Sequence, residues 1–317
     1  MIDYVRGIDQ LPKDTRLAVT VGVFDGVHRG HQQVFSVLEE TARRLGAMPA
    51  VVTFDPHPDA VVAGQAPDML MDRRERIERI SRLIGGVVAL QTFDEVFRRT
   101  TAEEFVERIG GGRNLSALVM TRVSAFGRDR AGTVPVLQEM SKTTDWELVE
   151  APTLDSGGAR VSSARTRELV ADGHLQTAAT LLGRPFALVG SVVHGEQRGR
   201  ELGYPTANLD FGQPVALPPD GIYAARASWG GPQVLEPAER ADAVISLGTQ
   251  PTFGGRVRLM EVHLLDRDVD LYGERMRVQF CTFVRGQRRY DSVDELIVQM
   301  GHDVARARAF LDECQTC

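Results

Sequence analysis

Cysteine is scarce in this chain of 317 residues, which contains only Cys281, Cys314 and Cys317. Three cysteines are too few for the disulfide framework that stabilises small secreted domains. Cys314 and Cys317 form a C-x-x-C pair at the end of the sequence, but no second half-site accompanies them. A zinc ribbon or a redox motif is therefore disfavoured, and we expect a frayed tail.

Long apolar runs are also missing. No stretch approaches the ~20 apolar residues of a membrane span. The N-terminus, Met1 to Arg6, has no basic segment followed by an apolar run of signal-peptide length. We therefore expect a cytoplasmic protein with no membrane partner.

Basic residues are not in excess, since 37 Lys and Arg face 43 Asp and Glu for a net charge of −6. A negative protein has no electrostatic reason to bind a polyanion, so nucleic acid is disfavoured as a partner. Local arginines must then neutralise any bound phosphate. The sequence leaves the oligomeric state open between a monomer and a homo-oligomer.

The length is sufficient for two domains, and the pattern of apolar residues changes along the chain. Up to about residue 183, short apolar runs alternate with helical patterns, which predicts an α/β domain with a parallel sheet wrapped by helices. From residue 184, short β-rich runs separated by Gly and Pro predict a closed or nearly closed barrel, and amphipathic helical patterns follow at the end. We therefore expect domains over 1–183 and 184–317.

The most informative stretch, residues 22 to 31, reads GVFDGVHRGH. It follows a predicted strand, Leu17 to Val23, and precedes a helical pattern that starts near Gly30. His28 and His31 therefore lie beside a helix N-terminus, with glycines where the strand turns into the helix. Helix N-termini are natural seats for nucleotide phosphates, so this stretch predicts phosphate chemistry at the carboxyl end of a strand.

A second glycine-rich stretch, residues 194 to 208, reads HGEQRGRELGYPTAN. Its glycines let backbone amides approach a phosphate, and Thr206 and Asn208 offer the hard oxygen ligands that Mg²⁺ prefers beside substrate phosphates. Further along, Arg258 to Leu265 reads as a strand. Period-2 alternation places Met260, Val262 and Leu264 on one face, and Leu259, Glu261, His263 and Leu265 on the other.

These stretches resemble one known family. GVFDGVHRGH is similar to the HxGH signature of the nucleotidyltransferase superfamily, in the form carried by prokaryotic bifunctional riboflavin kinase/FAD synthetases. The GRxLGxPTAN pattern of the kinase domain is matched at residues 199–208. The supporting matches, in order, are TFDPHP at 53–58, PDGIY at 219–223, SLGTQPTFG at 246–254 and MEVHL at 260–264.

For the first domain, the resemblance implies a Rossmann-like fold that transfers an adenylyl group from ATP to FMN, giving FAD and pyrophosphate. His28 and His31 would stabilise charge in the transition state. The implied nucleotide-binding residues are Gly22, Phe24, Asp25, Gly26 and Gly30, with Ser162, Ser163 and Arg167 from a motif at 161–167.

For the second domain, it implies a riboflavin-kinase barrel capped by a C-terminal helix, which phosphorylates riboflavin with MgATP. Glu261 would act as general base on the riboflavin 5′-hydroxyl, and Thr206 and Asn208 would hold Mg²⁺. The implied nucleotide- or flavin-binding residues are Gly195, Arg200, Gly203, Pro205, Thr206 and Asn208.

Two segments of the first domain depart from the family pattern. Residues 121–124 read TRVS where the family carries a polar and an aromatic residue that meet the flavin, and Ala164 and Arg165 interrupt the later motif. These departures leave two alternatives open. The first domain would either use a different nucleotide or a modified flavin, or serve as a non-catalytic nucleotide-binding or regulatory module.

Overall fold

The computed structural model describes residues 4–110, 114–195, 199, 202–252 and 255–313. The chain divides into two compact units. The first contains residues 1–69 and 73–165, and the second contains 70–72 and 166–317. The helical stretch from 166 to 182 thus belongs to the second unit, and the domain boundary at 183/184 stays a prediction.

The first unit is built on a six-stranded sheet whose neighbouring strands all run parallel. Its strands are β1 (Tyr4–Arg6), β2 (Leu17–Val21), β3 (Met48–Asp55), β4 (Val87–Thr92), β5 (Leu115–Thr121) and β8 (Glu147–Ala151). Short strands are β6 (Ala125–Phe126), β7 (Gly132–Thr133), β9 (Asp155–Ser156) and β10 (Ala159–Arg160). The helices are α1 (Arg29–Leu45), α2 (Pro58–Val62), α3 (Arg73–Leu83), α4 (Ala102–Gly110) and α5 (Val134–Ser141).

The strand order β1-β4-β3-β2-β5-β8 gives the sheet a switch point beside β2. Strand β2 is buried along its whole length and lies between β3 and β5. The connections on either side of β2 therefore run in opposite directions along the sheet. In open parallel sheets, ligands bind at this switch point, outside the carboxyl ends of the strands. The residues that follow β2 and β5 are thus placed to line a crevice.

The second unit is a closed barrel of order β11-β12-β15-β14-β13-β16, preceded by two helices and followed by one. Its elements are α6 (Ser163–Ala171), which begins in the first unit, α7 (Leu175–Leu182), β11 (Ala187–Val193), β12 (Ala207–Asp210), β13 (Gly221–Trp229), β14 (Glu239–Thr252), β15 (Gly255–Leu264), β16 (Arg275–Arg285) and α8 (Val293–Glu313). The expected Rossmann-like sheet and helix-capped barrel are confirmed.

Strand β15 follows the predicted alternation. Met260, Val262 and Leu264 are buried in the barrel core, whereas Glu261 belongs to the opposite face. Helix α8 packs on the outer surface of the barrel, and its buried Leu311 joins an apolar cluster with β13, β14 and β16. The charged Glu261 therefore lies on the helix-covered outer face, away from the apolar interior.

Within the described ranges, no helix combines the length and the apolarity needed to cross a bilayer.

Candidate active sites

The chain leaves β2 through a tight turn with left-handed backbone. Phe24, Gly26 and Val27 have φ angles of 55°, 82° and 41°. Glycine adopts such angles at little cost, but a β-branched residue such as Val27 does so only under strain. The single 3₁₀ turn Asp25–Val27 then delivers the chain to the N-terminus of α1.

His28 caps helix α1. Its Nδ1 accepts a hydrogen bond from the backbone N–H of His31 at 3.2 Å, and the two imidazole rings stack with centroids 3.5 Å apart. Because Nδ1 is used as an acceptor, neutral His28 carries its proton on Nε2. The Nδ1 contact thus fixes the orientation of the His28 ring at the start of α1.

Two predicted glycines leave room for the rings of this turn. A Cβ on Gly30 would lie 3.2 Å from the His28 ring, and one on Gly22 would lie 3.0 Å from the Phe24 ring. The Phe24 ring also meets the edge of His31, with centroids 5.2 Å apart. Larger residues at either glycine would push these aromatic rings out of position.

A cavity of about 220 Å³ opens at this turn. Most of the residues predicted for adenylyl transfer line it, and Asp25 and Gly26 lie buried in the turn itself. Arg167 belongs to the second unit, in α6, so its predicted role in this site stays a prediction. The predicted residues that line the cavity are Gly22, Phe24, His28, Gly30, His31, Ser162 and Ser163.

The start of α6 is tied to the turn. The Ser163 hydroxyl donates to the Asp25 carbonyl at 2.8 Å. Ser162 caps the helix, since its Oγ accepts from the Arg165 backbone N–H at 3.3 Å. The Arg165 guanidinium donates to the Ser156 and Ala159 carbonyls at 2.8 and 2.9 Å. Arg165, which departs from the family motif, thus holds the β9–β10 hairpin in place.

The other departure lies directly in the cavity wall. Thr121, Val123 and Ser124 line the cavity, and the Thr121 and Ser124 hydroxyls are hydrogen bonded at 2.8 Å. Pro152 to Leu154, which follow β8, line it as well, although the sequence analysis did not select them. Their position after the carboxyl end of a parallel strand was the signal that could have found them.

The second unit holds a larger cavity, of about 690 Å³, on the outer face of the barrel. Leu296 and Met300 of α8 contribute apolar wall. Arg200 lies outside the described residues. Gly203 and Pro205 belong to the segment leading into β12, where Gly203 has a φ of 82°. The predicted residues that line the cavity are Gly195, Thr206, Asn208 and Glu261.

Thr206, Asn208 and Glu261 meet where β12 pairs with β15. The Thr206 hydroxyl donates to Glu261 Oε1 at 3.5 Å, and Asn208 is the register partner of Glu261. A Cβ on Gly195 would lie 2.1 Å from Asn208 Nδ2, so glycine is needed for this close approach. A hydroxyl, an amide and a carboxylate thus converge on one patch of the wall.

His263 supports this patch, although the sequence analysis gave it no site role. Its Nδ1 is 2.8 Å from the Pro205 carbonyl, and its ring meets the Tyr204 ring edge-on at 5.4 Å. The contact fixes the backbone immediately before Thr206. His263 lies two residues beyond Glu261 on the same face of β15, which is the signal that could have identified it.

A smaller cavity of about 130 Å³ shares Thr206 with the large one. Its lining includes Val192, Leu271 and Tyr272, and the Tyr272 ring stacks on His194 at a centroid distance of 3.7 Å. The two cavities therefore meet beside the convergent polar groups.

The PDGIY stretch has a structural role beside the large cavity. Burial raises the pKa of Tyr223 to about 12, and its hydroxyl donates to the Pro219 carbonyl at 2.5 Å. Asp220 accepts hydrogen bonds from Thr249 at 3.0 Å and from Arg258 at 2.8 Å. These bonds fix Arg258, which lines the cavity.

Comparisons with known proteins agree with this geometry. The FAD synthetase family model matches residues 10–165, and the riboflavin kinase family model matches residues 182–311. Bifunctional riboflavin kinase/FMN adenylyltransferases match nearly full length. The relative from Escherichia coli (strain K12) is 33% identical, covering 98% of this chain and 97% of its own. That from Pseudomonas fluorescens is 35% identical, covering 96% of each.

A crystal structure described as a macrolide-efflux protein from Streptococcus pneumoniae superposes with a TM-score of 0.81 at 29% identity, over 97% of this chain and 99% of that one. The alternatives of a different nucleotide, a modified flavin or a non-catalytic first domain are not favoured by these matches. The chain belongs to the family of bifunctional riboflavin kinase/FMN adenylyltransferases, and it phosphorylates riboflavin to FMN and adenylylates FMN to FAD.

Proposed function

We propose that the cavity beside His28 and His31 carries out adenylyl transfer and that the cavity beside Glu261 carries out riboflavin phosphorylation. One observation carries this assignment. In each unit, residues selected from the sequence for phosphate chemistry line a cavity, at the strand ends in the first unit and at the β12–β15 pair in the second.

In the first cavity, a phosphate oxygen of FMN attacks the α-phosphorus of ATP. A new P–O bond forms, the bond between the α- and β-phosphates breaks, and pyrophosphate leaves. The stacked imidazoles of His28 and His31 stabilise the charge that develops on the phosphate oxygens. Ser162 and Arg167 are kept as proposed partners of the departing pyrophosphate, near the N-terminus of α6.

In the second cavity, the carboxylate of Glu261 accepts the proton of the riboflavin 5′-hydroxyl while that oxygen attacks the γ-phosphorus. ADP leaves as the bond between the β- and γ-phosphates breaks. The Thr206 hydroxyl supports this role, because its hydrogen bond to Oε1 orients the carboxylate. Positioning and neutralisation of phosphate charge lower most of the barrier in such reactions.

The residues fit a magnesium ion that arrives with ATP. The oxygen atoms of Thr206 and Asn208 are hard ligands, and Mg²⁺ is ordinarily held by one or two side chains together with substrate phosphates. Bound there, Mg²⁺ would neutralise phosphate charge.

We assign one co-substrate to each of these two cavities of the second unit. The large cavity, with Leu296 and Met300 in its wall, suits the tricyclic flavin. The smaller one, with the Tyr272 ring, suits the adenine base of ATP. Because both cavities include Thr206, the γ-phosphate and the 5′-hydroxyl would meet beside Glu261.

Separate variants test the assignment. His28→Ala should lower FAD formation from FMN by a factor of ~10² to 10³ and leave FMN formation from riboflavin intact. Glu261→Gln should stop riboflavin phosphorylation and leave adenylylation of added FMN intact. Each variant is the control for the other in a time course of riboflavin, FMN and FAD with MgATP. Undiminished FAD output from His28→Ala, or a normal kinase rate in Glu261→Gln, would overturn the corresponding role.

We further propose that the enzyme works in the cytoplasm, where ATP is supplied, and that its second domain starts near residue 184. The FAD synthetase match ends at residue 165 and the riboflavin kinase match begins at 182, which supports a junction within that interval or at its end.

A further inference from the structure

The strained turn after β2 is held by side chains from three different elements. Each side chain donates a hydrogen bond to a backbone carbonyl of the turn, and the carbonyls belong to alternate residues. The bonds join Thr53 Oγ1 of β3 to Val23 O (2.9 Å), Ser163 Oγ of α6 to Asp25 O (2.8 Å) and Gln32 Nε2 of α1 to Val27 O (2.9 Å).

The backbone of this turn needs such support. Phe24 and Val27 both have positive φ angles, a region that bulky residues leave unless surrounding contacts hold them there. His28 follows Val27 directly, and its ring is almost fully buried. Relaxation of the turn would therefore move the imidazole that caps α1.

Ser163 differs from the other two donors. Gln32 lies five residues from Val27 and Thr53 lies 30 residues from Val23, whereas Ser163 lies 138 residues from Asp25. It is the first residue of α6, so its bond links the position of the turn to the start of that helix.

The chemistry of the hydroxyl decides what Ser163 can do for a phosphate. A serine hydroxyl has a single O–H donor, and that of Ser163 is directed at the Asp25 carbonyl. Phosphate and pyrophosphate oxygens at neutral pH require donors from the protein. With its proton committed to Asp25, the Ser163 hydroxyl has no donor for them.

We propose that the Ser163 side chain is a positioning group for adenylyl transfer, which acts by holding the Asp25 carbonyl and thereby the orientation of His28, and that its hydroxyl is not a ligand of the triphosphate. This inference rests on the proposed role of His28. It replaces the nucleotide-binding role that the sequence suggested for Ser163, while the cavity and the reaction stay the same.

Steady-state kinetics of FAD formation from FMN and MgATP test the proposal. Ser163→Ala should lower kcat about tenfold, the effect of one lost hydrogen bond, and leave KM for ATP unchanged within about twofold. Ser163→Thr keeps the donor and should restore most of the rate. Ser141→Ala is the matched control, because the Ser141 hydroxyl also donates to a backbone carbonyl, that of Gln138 at 2.9 Å, in the same unit.

A double-mutant cycle with His28→Ala separates positioning from direct binding. If Ser163 acts through His28, Ser163→Ala should cause little further loss in the His28→Ala background. A full additional loss there would overturn the proposal, as would a raised KM for ATP with unchanged kcat in the single variant. Thermal unfolding of each variant sets an assay temperature at which it is folded. If His28→Ala alone were fully active, the proposed role of His28 would fail, a result distinct from additivity in the cycle.

Discussion

A buried ion pair in the kinase unit makes a quantitative prediction. Arg285, at the end of β16, donates to Asp303 of α8 through Nε at 2.8 Å and Nη2 at 2.5 Å. Gln299 adds a third hydrogen bond to Asp303 at 2.9 Å. The two charged side chains are only 10% and 4% exposed. They line the large cavity and fix α8, which supplies part of its wall.

Asp303→Asn removes one charge and leaves the other buried. Burial opposes the charged guanidinium and the bond to Asp303 favours it, and the net effect raises the pKa of Arg285. The arginine therefore stays charged throughout the neutral pH range. Breaking a buried pair from one side costs about 3–5 kcal/mol. Because Asn keeps the shape and one acceptor oxygen, we expect a loss near the lower end, about 3 kcal/mol.

Urea unfolding measures this loss. Of the two tryptophans, Trp229 lies in the barrel and Trp146 in the first unit, so a Trp146→Phe background lets fluorescence report on the barrel alone. Asp266→Asn is the control, since Asp266 pairs with Arg308 at an exposed position and its φ of 56° is one that Asn tolerates.

The reasoning is refuted if Asp303→Asn shifts the urea midpoint no further than Asp266→Asn does. A second comparison checks the cause. Because replacing both members of a buried pair by apolar residues is often neutral, Arg285→Met with Asp303→Leu should be more stable than Asp303→Leu alone. Equal instability of the two would show that lost packing, not the unpaired arginine, is responsible.

Three further predictions concern single residues. Gly195→Ala should push Asn208 out of place and lower the kinase kcat by about 10²-fold without affecting adenylylation of added FMN; a normal kinase rate would contradict the close approach. Tyr272→Ala should raise the kinase KM for ATP about tenfold, whereas Tyr272→Phe should not, and an unchanged KM in the first variant would place the base elsewhere. Burial raises the pKa of the Cys281 thiol from 9.0 to about 11, so the stability that this buried thiol contributes is complete below pH 9 and is lost as the pH rises through 11. In a variant with Cys314 and Cys317 replaced by serine, thiol titration of the folded protein at pH 8 should therefore show no reaction. Rapid reaction would contradict this prediction.

The elements that could be predicted are those encoded by local pattern. The alternation on β15 follows from residues 259–265 alone, and the capping box of α4 from Thr101 and Glu104, whose reciprocal hydrogen bonds measure 2.8 and 3.2 Å. The turn around His28 and His31 could also be predicted from the sequence, because a strand, two histidines and the start of a helix follow one another directly in the chain.

The parts that could not be predicted depend on contacts between residues distant in sequence. The neighbouring sequence does not show that the Ser163 hydroxyl donates to the Asp25 carbonyl. Nor does it show that Arg165 binds carbonyls of the β9–β10 hairpin instead of a phosphate. The smaller cavity needs β11 and the loop containing Tyr272 to be brought together by barrel closure. Helical periodicity predicts α8, but not which of its polar residues meets β16.

The most direct test of the two proposed sites is a crystal structure with a non-hydrolysable ATP analogue, Mg²⁺ and riboflavin. We expect one analogue with its phosphates at His28 and His31, and a second with its Mg²⁺ on Thr206 and Asn208 and the riboflavin 5′-hydroxyl at Glu261. An analogue bound away from His31 in the first unit, or a Thr206 that contacts neither the metal nor the nucleotide in the second, would contradict the account.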